Sequence, residues 1–389
     1  MTRLAVSYVT SRSDAQTGAR PPGLGRRPPA IIKGMSLPDL IRSAAAEAGF
    51  DAAGIAPFRP TSELSYFREW IEAGYAGEMR YLESRAEGGE LKRSSPEVVF
   101  PWARSVVVCV INYNTDRPRS TDDPDPTCGW ISRYAWSQRD YHDVVFERLR
   151  RLEARLHELA AQPMQSRCYV DTGPLVERVY AKYAGVGWVG KNTCLINQKL
   201  GSWLFLGVIL TSLELEPDLP APDRCGSCTR CLDACPTDAF IAPYRMDASR
   251  CIAYLTIEKR GDIPEDLRTG IGRQVFGCDI CQDVCPWNRK APATSTQEFQ
   301  PRAGLVNPAL EWLAALHEDG FRETFRASPV KRTKHAGILR NIAVAMGNSG
   351  DRKFVEPLRR LAAHPDETVA GHARWSLGKL GAIEESKVP

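Results

Sequence analysis

The chain has 389 residues, with 51 Lys and Arg against 47 Asp and Glu and a net charge of +4. Its hydrophobic fraction of 43% is enough for a sizeable core, and its length is typical of two or three domains. The longest apolar runs stop far short of the roughly 20 residues that a membrane-spanning helix needs, which excludes an integral membrane protein.

The basic charge is concentrated in two segments. Residues 1–34 hold six Arg or Lys and one acid, and residues 326–360 hold nine and two, which leaves about −8 for the rest. A mildly acidic body with a basic segment near its C-terminus can bind a polyanion locally.

Residues 1–34 have no apolar periodicity and include a run rich in Arg, Pro and Gly at 20–29. This composition predicts a disordered tail, or a start codon placed too early with Met35 as the alternative start. The acid-poor composition also resembles an organelle transit peptide, but it forms no convincing amphipathic helix.

Residues 35–215 mix helical and strand patterns. Ser36 is a helix N-cap followed by an apolar stripe at 40–48, and residues 145–159 repeat Val and Leu at helical spacing. We therefore predict helices in both places.

Two short β-branched runs, Ser105–Asn112 and Leu204–Thr211, are bounded by turn residues and predict strands that are buried on both faces. The fold class predicted for 35–215 is α/β or α+β, and this domain is the candidate cofactor-binding catalytic domain. Three prolines in residues 215–223 indicate a linker.

Eight of the twelve cysteines fall within 61 residues. A disulfide framework belongs to small secreted domains, and the sequence has no secretory signal, so we predict a reduced, cytoplasmic setting. The remaining four are interpreted as core or incidental residues: Cys109, Cys128, Cys168 and Cys194.

The spacing Cys-x2-Cys-x2-Cys-x3-Cys-Pro is that of bacterial ferredoxins, in which three thiolates bind one 4Fe–4S cluster and the fourth reaches a second. The motif occurs in full at 225–236, and a second set follows after an insertion. The crossed pattern assigns Cys225, Cys228, Cys231 and Cys285 to cluster 1, and Cys235, Cys251, Cys278 and Cys281 to cluster 2.

Zinc is the competing interpretation, but two Cys-x3-Cys-Pro endings fit zinc poorly. We predict a ferredoxin-like domain with two 4Fe–4S clusters over residues 216–298. Two neighbouring clusters relay single electrons, which implies an acceptor in the same chain.

Residues 299–389 contain no cysteine and show three short apolar helical stripes, beginning near Ile338, Val355 and Val369. The pattern predicts a C-terminal α-helical domain of HEAT-like repeats that packs against the preceding domain.

Two further motifs are candidates for the acceptor site. Asp171-Thr-Gly173 is the aspartic protease triplet, but it occurs once and would leave the cysteines unexplained; on local sequence alone Asp171 is a turn-capping residue. Gly185, Gly187 and Gly190 precede Lys191 at a spacing that is neither a P-loop nor a dinucleotide fingerprint. We expect these glycines to let the backbone approach a large flat or anionic cofactor.

Taken together, residues 131–142, 170–178 and 185–192, the two ferredoxin motifs and the terminal helices resemble the epoxyqueuosine reductase family from about Met35 to Leu380. The resemblance implies a cobalamin-dependent enzyme, similar to the catalytic cores of reductive dehalogenases. Such an enzyme removes the epoxide oxygen of epoxyqueuosine at the wobble position of tRNA and leaves queuosine.

The resemblance also implies roles for individual residues. Asp171 corresponds to the family's proton donor, and its carboxyl would need burial beside the corrin to stay protonated near neutral pH. No histidine lies in an Asp-x-His-x-x-Gly arrangement, so we expect no protein imidazole on cobalt and interpret all six histidines as surface or core residues. The cobalamin contacts implied are Ser132, Lys191, Asn192, Leu195, Asp279 and Ile280. Some relatives have a cysteine near the position of Ser132, and any role of that cysteine cannot apply here.

The basic C-terminal segment predicts phosphate contacts and salt-sensitive binding of a tRNA anticodon stem-loop. The predicted contacts are Lys331, Arg332, Lys334, Arg340, Arg352 and Lys353. We also expect an unidentified low-potential electron donor, a monomer and no membrane contact.

Three alternatives remain open from the sequence. The first is a cobalamin and iron–sulfur reductase of a small organohalide or epoxide, which would not need the basic helices. The second is a non-enzymatic electron carrier, and the third is a nucleic-acid-binding protein in which the clusters are structural.

Overall fold

The structure is a computed structural model that describes residues 35–382. The predicted tail at 1–34 lies outside the described residues, as do residues 383–389. The strands are β1 (Ala52–Pro57), β2 (Ser105–Asn112), β3 (Trp130–Ile131), β4 (Ser166–Tyr169), β5 (Trp188–Val189), β6 (Leu195–Ile196), β7 (Leu204–Thr211), β8 (Phe240–Ala242), β9 (Arg245–Met246) and β10 (Gln274–Phe276).

The helices are interspersed with these strands up to β10, and the described elements after β10 are helical. They are α1 (Leu37–Glu47), α2 (Ser62–Glu72), α3 (Pro96–Val99), α4 (Tyr141–Leu159), α5 (Glu177–Tyr183), α6 (Arg230–Asp233), α7 (Ile252–Ile257), α8 (Glu265–Arg268), α9 (Ile280–Asp283), α10 (Leu310–Ala314), α11 (Glu318–Thr324), α12 (Lys334–Ser349), α13 (Val355–Ala362) and α14 (Glu367–Lys379).

The main sheet has the strand order β1-β2-β7-β4, and every neighbouring pair is antiparallel. Because no parallel crossover is needed, the domain is α+β rather than α/β. The two strands predicted from sequence have the predicted bounds, whereas β1 and β4 were not predicted.

Both faces of the sheet are covered, which explains why β2 is buried along its whole length. Val107, Cys109 and Ile111 face α1 and α4 in one core, while alternate residues such as Val108 face α5 in the other. Helix α4 crosses the sheet closely at Gly207, where an added Cβ would lie 2.9 Å from side-chain carbons of α4.

Helices α1 and α4 begin where the sequence provides caps. The Ser36 side chain accepts a hydrogen bond from the Asp39 N–H, and the Asp140 side chain accepts one from the His142 N–H. The start of α4 lies beside the loop that follows β4, because Tyr141 donates to Asp171 in that loop.

The C-terminal helices pack on the insertion between the two cysteine motifs. Ile338 and Ile342 of α12 share a core with Val275 and Phe276, and α13 and α14 close that core from the other side. The three predicted apolar stripes are therefore confirmed as buried faces. Their assignment to HEAT-like repeats stays a prediction, as do the domain boundaries at 215, 298 and 299.

Arg340 lies inside this core and is 0% exposed. Its guanidinium donates hydrogen bonds to the carbonyls of Leu255, Lys259 and Gly261. The prediction that Arg340 contacts tRNA is wrong, because a side chain that is fully enclosed and bonded to the backbone cannot reach a phosphate. No helix within residues 35–382 is long and apolar enough to cross a membrane.

Candidate active site and cluster-binding module

Asp171 lies in the loop between β4 and α5, with a left-handed backbone (φ 57°). Its Oδ2 accepts a hydrogen bond from the Tyr141 hydroxyl (3.0 Å), and its N–H donates to Glu177 Oε1 (2.9 Å). The carboxyl is 64% exposed. The expected burial of Asp171 is therefore not provided by the protein's own side chains, and the carboxyl points outward from a tethered loop.

His142 is the next side chain around this carboxyl. Its Nδ1 lies 2.8 Å from Asp140 Oδ1, and its Nε2 lies 3.9 Å from Asp171 Oδ2. The Tyr141 and His142 rings stack with centroids 4.0 Å apart. The ring of His142, interpreted from sequence as a surface or core residue, is 30% exposed and faces the predicted proton donor.

Asp140 is buried and ionised. Burial opposes its charge, but hydrogen bonds from His142 and Lys331 outweigh burial and lower the pKa of Asp140 to about 2. Lys331 Nζ lies 3.1 Å from Asp140 Oδ2. A residue predicted to bind tRNA is thus in direct contact with the carboxylate that orients His142.

Glu177 holds the Asp171 loop by accepting the hydrogen bond from the Asp171 N–H. Burial is the main cause that raises the pKa of Glu177 to about 8, and the charge of Asp171 adds to it. Sequence reasoning missed Glu177 as a site residue, although it belongs to the motif that carries the resemblance.

Two arginines, Arg93 and Arg332, lie over the ring of Tyr81. The guanidinium carbons of Arg93 and Arg332 lie 5.7 and 5.4 Å from the centre of the Tyr81 ring. Burial raises the pKa of Tyr81, and the charges of Glu258 and Asp171 add to this effect. The predicted tRNA contact Arg332 therefore lies beside the Asp171 loop.

The other predicted tRNA contacts are exposed and lie farther along the C-terminal helices. Lys334 begins α12, while Arg352 and Lys353 precede α13. Among the six predicted tRNA contacts, Arg340 is the one whose side chain is fully buried.

Ser132 and Asp279, predicted separately, are in direct contact. The Ser132 hydroxyl donates to Asp279 Oδ1, and the Arg133 N–H donates to Oδ2 (2.6 Å). Parallel pairing of β3 with β10 brings the two chain segments together. Asp279 and Ile280 follow Cys278 directly, so this contact anchors a cysteine loop to the segment that precedes α4.

Tyr134 lies near both the Ser132–Asp279 hydrogen bond and Asp171. Burial raises the pKa of Tyr134 well above its usual value, and the carboxylates of Asp171 and Asp279 add to this effect. The Tyr134 ring packs against Tyr141, which donates to Asp171 (centroids 6.1 Å apart), and against Phe276, two residues before Cys278 (5.9 Å).

Lys191 and Asn192 hold the other cysteine loops. Lys191 Nζ donates to the carbonyls of Gly226 (2.7 Å) and Cys228 (3.0 Å), and Asn192 Nδ2 donates to the Cys281 carbonyl (3.2 Å). The Leu195 side chain is 4% exposed and packs in the core, which leaves little of it for a cofactor.

The nearby glycines approach the protein's own backbone. A Cβ at Gly185 would lie 2.7 Å from the Leu219 carbonyl, and one at Gly187 would lie 2.5 Å from the Ile196 carbonyl. The expectation that these two glycines open the backbone to a cofactor is wrong, because these two positions are filled by the chain itself.

The cysteine thiols fall into two groups by their neighbours. Cys231 interacts electrostatically with Cys225, Cys228 and Cys285. The second group consists of Cys278 with Cys251 and Cys235, and Cys281 with Cys278 and Cys251. No three His, Cys, Asp or Glu side chains within 35–382 converge on one metal ion; a 4Fe–4S cluster instead binds its four cysteines at separate iron atoms.

Two polar groups beside these thiols fit a bound cluster. The Trp188 Nε1–H is buried without a hydrogen-bond partner among the described residues, and Trp188 packs with Cys225 and Cys285. A cluster sulfur would provide the missing acceptor. Cys194, interpreted from sequence as a core or incidental residue, lies within hydrogen-bonding reach of Cys281.

Comparison with known proteins gives the same picture. Residues 93–172 match the family described as "Epoxyqueuosine reductase QueG, DUF1730", and residues 224–288 match "4Fe-4S double cluster binding domain". The chain therefore contains a 4Fe–4S double-cluster binding domain.

Full-length relatives cover nearly the whole chain. The epoxyqueuosine reductase of Xanthomonas campestris is 41% identical over 88% of this chain and 95% of its own length, and that of Pseudomonas aeruginosa is 39% identical over 91% and 99%.

Solved structures agree with the sequence comparison. A crystal structure of epoxyqueuosine reductase with an epoxyqueuosine-modified tRNA-Tyr stem loop has a TM-score of 0.79 at 32% identity, covering 88% of this chain and 89% of that one. The Bacillus subtilis enzyme, described with its catalytic aspartate loop swung out of the active site, has a TM-score of 0.78 at 31% identity, covering 90% and 94%. The chain belongs to the epoxyqueuosine reductase family and is an oxidoreductase.

Proposed function

We propose that the protein reduces epoxyqueuosine to queuosine at the wobble position of a tRNA, with cobalamin as cofactor and electrons relayed by two 4Fe–4S clusters. The observation that carries this proposal is the position of Asp171. Its exposed carboxyl accepts from Tyr141, whose ring packs on Tyr134, and Tyr134 in turn packs on Phe276, just before the Cys278 loop.

The residues around Tyr134 fit a cofactor that connects a cluster to a substrate. Tyr134 packs on Phe276, which precedes the Cys278 loop fixed by Ser132 and Asn192, and on Tyr141, which donates to the Asp171 carboxyl. Cobalamin in its reduced form supplies a strong nucleophile and reductant for epoxide opening. Ser132, Lys191, Asn192, Asp279 and Ile280 would hold it through the loops that they anchor.

The protein's own part in the reaction is to bind, orient and protonate. Removal of an epoxide oxygen consumes two electrons and two protons: both C–O bonds break, a C=C bond forms, and the oxygen leaves as water. Asp171 would donate a proton to that oxygen through Oδ1, since Tyr141 and His142 both face Oδ2.

The cluster ligands follow the crossed assignment. Cys225, Cys228, Cys231 and Cys285 would hold cluster 1, and Cys235, Cys251, Cys278 and Cys281 would hold cluster 2. The proximity of the thiols within each group supports this division. Cluster 2 would then be the one next to the cofactor, because its Cys278 loop faces Tyr134.

The tRNA would approach over the C-terminal basic segment. Lys331 and Arg332 are exposed and ion-paired with Asp140 and Glu258, and the exposed Lys334, Arg352 and Lys353 provide further positive charge for phosphates. An anticodon loop with its modified base turned outward could then reach Asp171. The small-substrate alternative leaves this basic surface without a purpose.

Electrons would come from an external low-potential donor. A cavity of about 430 Å³ between α6 and α9 is lined by Arg119, Arg230 and Arg289, together with Asp233 and Asp283. Both helices carry cluster cysteines, so an acidic redox protein at this cavity would lie close to both clusters.

The test is Asp171→Asn in anaerobic turnover of epoxyqueuosine tRNA. We expect intact clusters and cobalamin binding but at least ~100-fold slower turnover, the usual loss when a proton donor is removed. Asp143→Asn, at an exposed position on α4, is the matched control. Wild-type turnover by Asp171→Asn would remove Asp171 from the mechanism.

A further inference from the structure

The reaction requires one more proton than Asp171 can hold. Each epoxide that becomes an alkene and a water molecule takes up two protons, whereas one carboxyl carries one. After Asp171 has protonated the oxygen, its carboxylate must be reprotonated, or a second acid must act, before water can leave. A residue that renews the proton on Asp171 should therefore lie within reach of its carboxylate.

His142 is the group at that position. Its Nε2 lies 3.9 Å from Asp171 Oδ2, a separation that a small ring rotation or one bridging water would close. Its side chain is 30% exposed, so the ring can also exchange protons with solvent. Oδ1 of the same carboxyl is left for the substrate.

Asp140 gives His142 a fixed orientation. Its Oδ1 lies 2.8 Å from His142 Nδ1, while its Oδ2 accepts from Lys331. A carboxylate on Nδ1 holds the imidazole so that Nε2 is aimed at Asp171. The charged groups at His142 are thus Asp140 at the start of its own helix and Asp171 across from it, with Lys331 on the far oxygen of Asp140.

Tyr141 cannot take this role, although it is closer to Asp171. Burial raises the pKa of Tyr141 well above its usual value, and the charge of Asp171 adds to this effect. The phenol therefore keeps its proton and acts as a hydrogen-bond donor that steadies the carboxylate.

We propose that His142, oriented by Asp140, relays a proton from solvent to Asp171 within each turnover. The relay rests on the proposed function, in which Asp171 is the proton donor. The Nε2–H bond of the imidazolium breaks and an O–H bond forms on Oδ2 of Asp171. Rotation of the carboxyl about Cβ–Cγ then presents that proton to the substrate, and the neutral ring regains a proton from solvent. Over one cycle two protons enter, two electrons arrive from the low-potential donor through the clusters, and one water leaves.

The test compares single-turnover rates of reduced, cluster-loaded enzyme with bound cobalamin and epoxyqueuosine tRNA. We expect His142→Ala to lower the rate constant on the order of 100-fold with unchanged tRNA affinity, and added imidazole to restore much of it. His142→Gln keeps a hydrogen-bonding side chain but cannot relay a proton, so it should stay slow. His157→Ala, on the same helix and hydrogen-bonded to Ser166, is the control expected to react at the wild-type rate.

The outcomes separate a relay from a structural role. A wild-type rate in His142→Ala overturns the relay, as does full activity in His142→Gln or the absence of imidazole rescue. If His142→Ala fails to fold, Asp140→Asn tests the same idea, because an unoriented ring should also slow the reaction. Inactive Asp171→Asn beside fully active His142→Ala would refute the relay alone, whereas fully active Asp171→Asn would refute the proposed role of Asp171.

Discussion

Replacing Arg340 by Met should destabilise the protein without changing how a folded molecule binds tRNA. Met keeps the apolar volume but leaves the carbonyls of Leu255, Lys259 and Gly261 without their donors, which lie at 2.6, 2.9 and 2.7 Å. Each buried acceptor left unsatisfied costs ~1–3 kcal/mol. Removing the Arg340 charge also removes the cost of burying it, which offsets part of this destabilisation. We expect the free energy of unfolding to fall by ~3–5 kcal/mol.

The assay is anaerobic urea unfolding of cluster-loaded protein followed by circular dichroism, paired with tRNA binding at several salt concentrations. Arg352→Met is the matched control, because Arg352 is exposed and donates to one carbonyl, that of Leu380. The control should change the free energy of unfolding by less than ~1 kcal/mol. It should also lower the slope of log tRNA affinity against log salt concentration by about one. The reasoning is refuted if Arg340→Met keeps its unfolding midpoint and instead weakens tRNA binding.

Three further substitutions test the site. Tyr141→Phe removes the hydrogen bond that steadies Asp171 and should slow turnover roughly tenfold at unchanged tRNA affinity; steady-state kinetics that match the wild type would contradict this. Lys191→Met removes two bonds to the Cys225–Cys228 loop and should lower the iron content of cluster 1, which iron analysis and electron paramagnetic resonance measure; full occupancy would speak against the assignment. Ser132→Ala removes one of two donors to buried Asp279 and should cost ~1–3 kcal/mol in urea unfolding, and an unchanged midpoint would count against a structural contact there.

The sequence predicted the elements whose local pattern matches their environment. The strand Ser105–Asn112 is covered on both faces and its residues are strongly β-branched, so composition and burial agree. The strand Ala52–Pro57 was missed because Ala, Gly and Pro carry no strand signal. Its conformation comes from pairing with β2, and Gly54 is needed because a Cβ there would overlap the Ala184 carbonyl.

In the candidate site, too, the residues that a local pattern marks were predicted, and those that depend on tertiary contacts were not. Cysteine spacing is local, so the ferredoxin-like motifs were recognisable from sequence, and family resemblance identified Asp171. Arg340 was misassigned because a charged residue in a basic segment predicts a solvated face, whereas its carbonyl partners come from a distant insertion. The approach of His142 to Asp171 could not be predicted, because it depends on the β4–α5 loop meeting the start of α4, a tertiary contact that no local pattern encodes.

The central claim is tested most directly by anaerobic incubation of the iron-reconstituted protein with cobalamin, a strong reductant and tRNA bearing epoxyqueuosine, followed by nucleoside mass spectrometry. The account predicts that the modified nucleoside loses one oxygen, and that this loss depends on added cobalamin. An unchanged nucleoside, despite intact clusters and bound cobalamin, would contradict the proposed substrate.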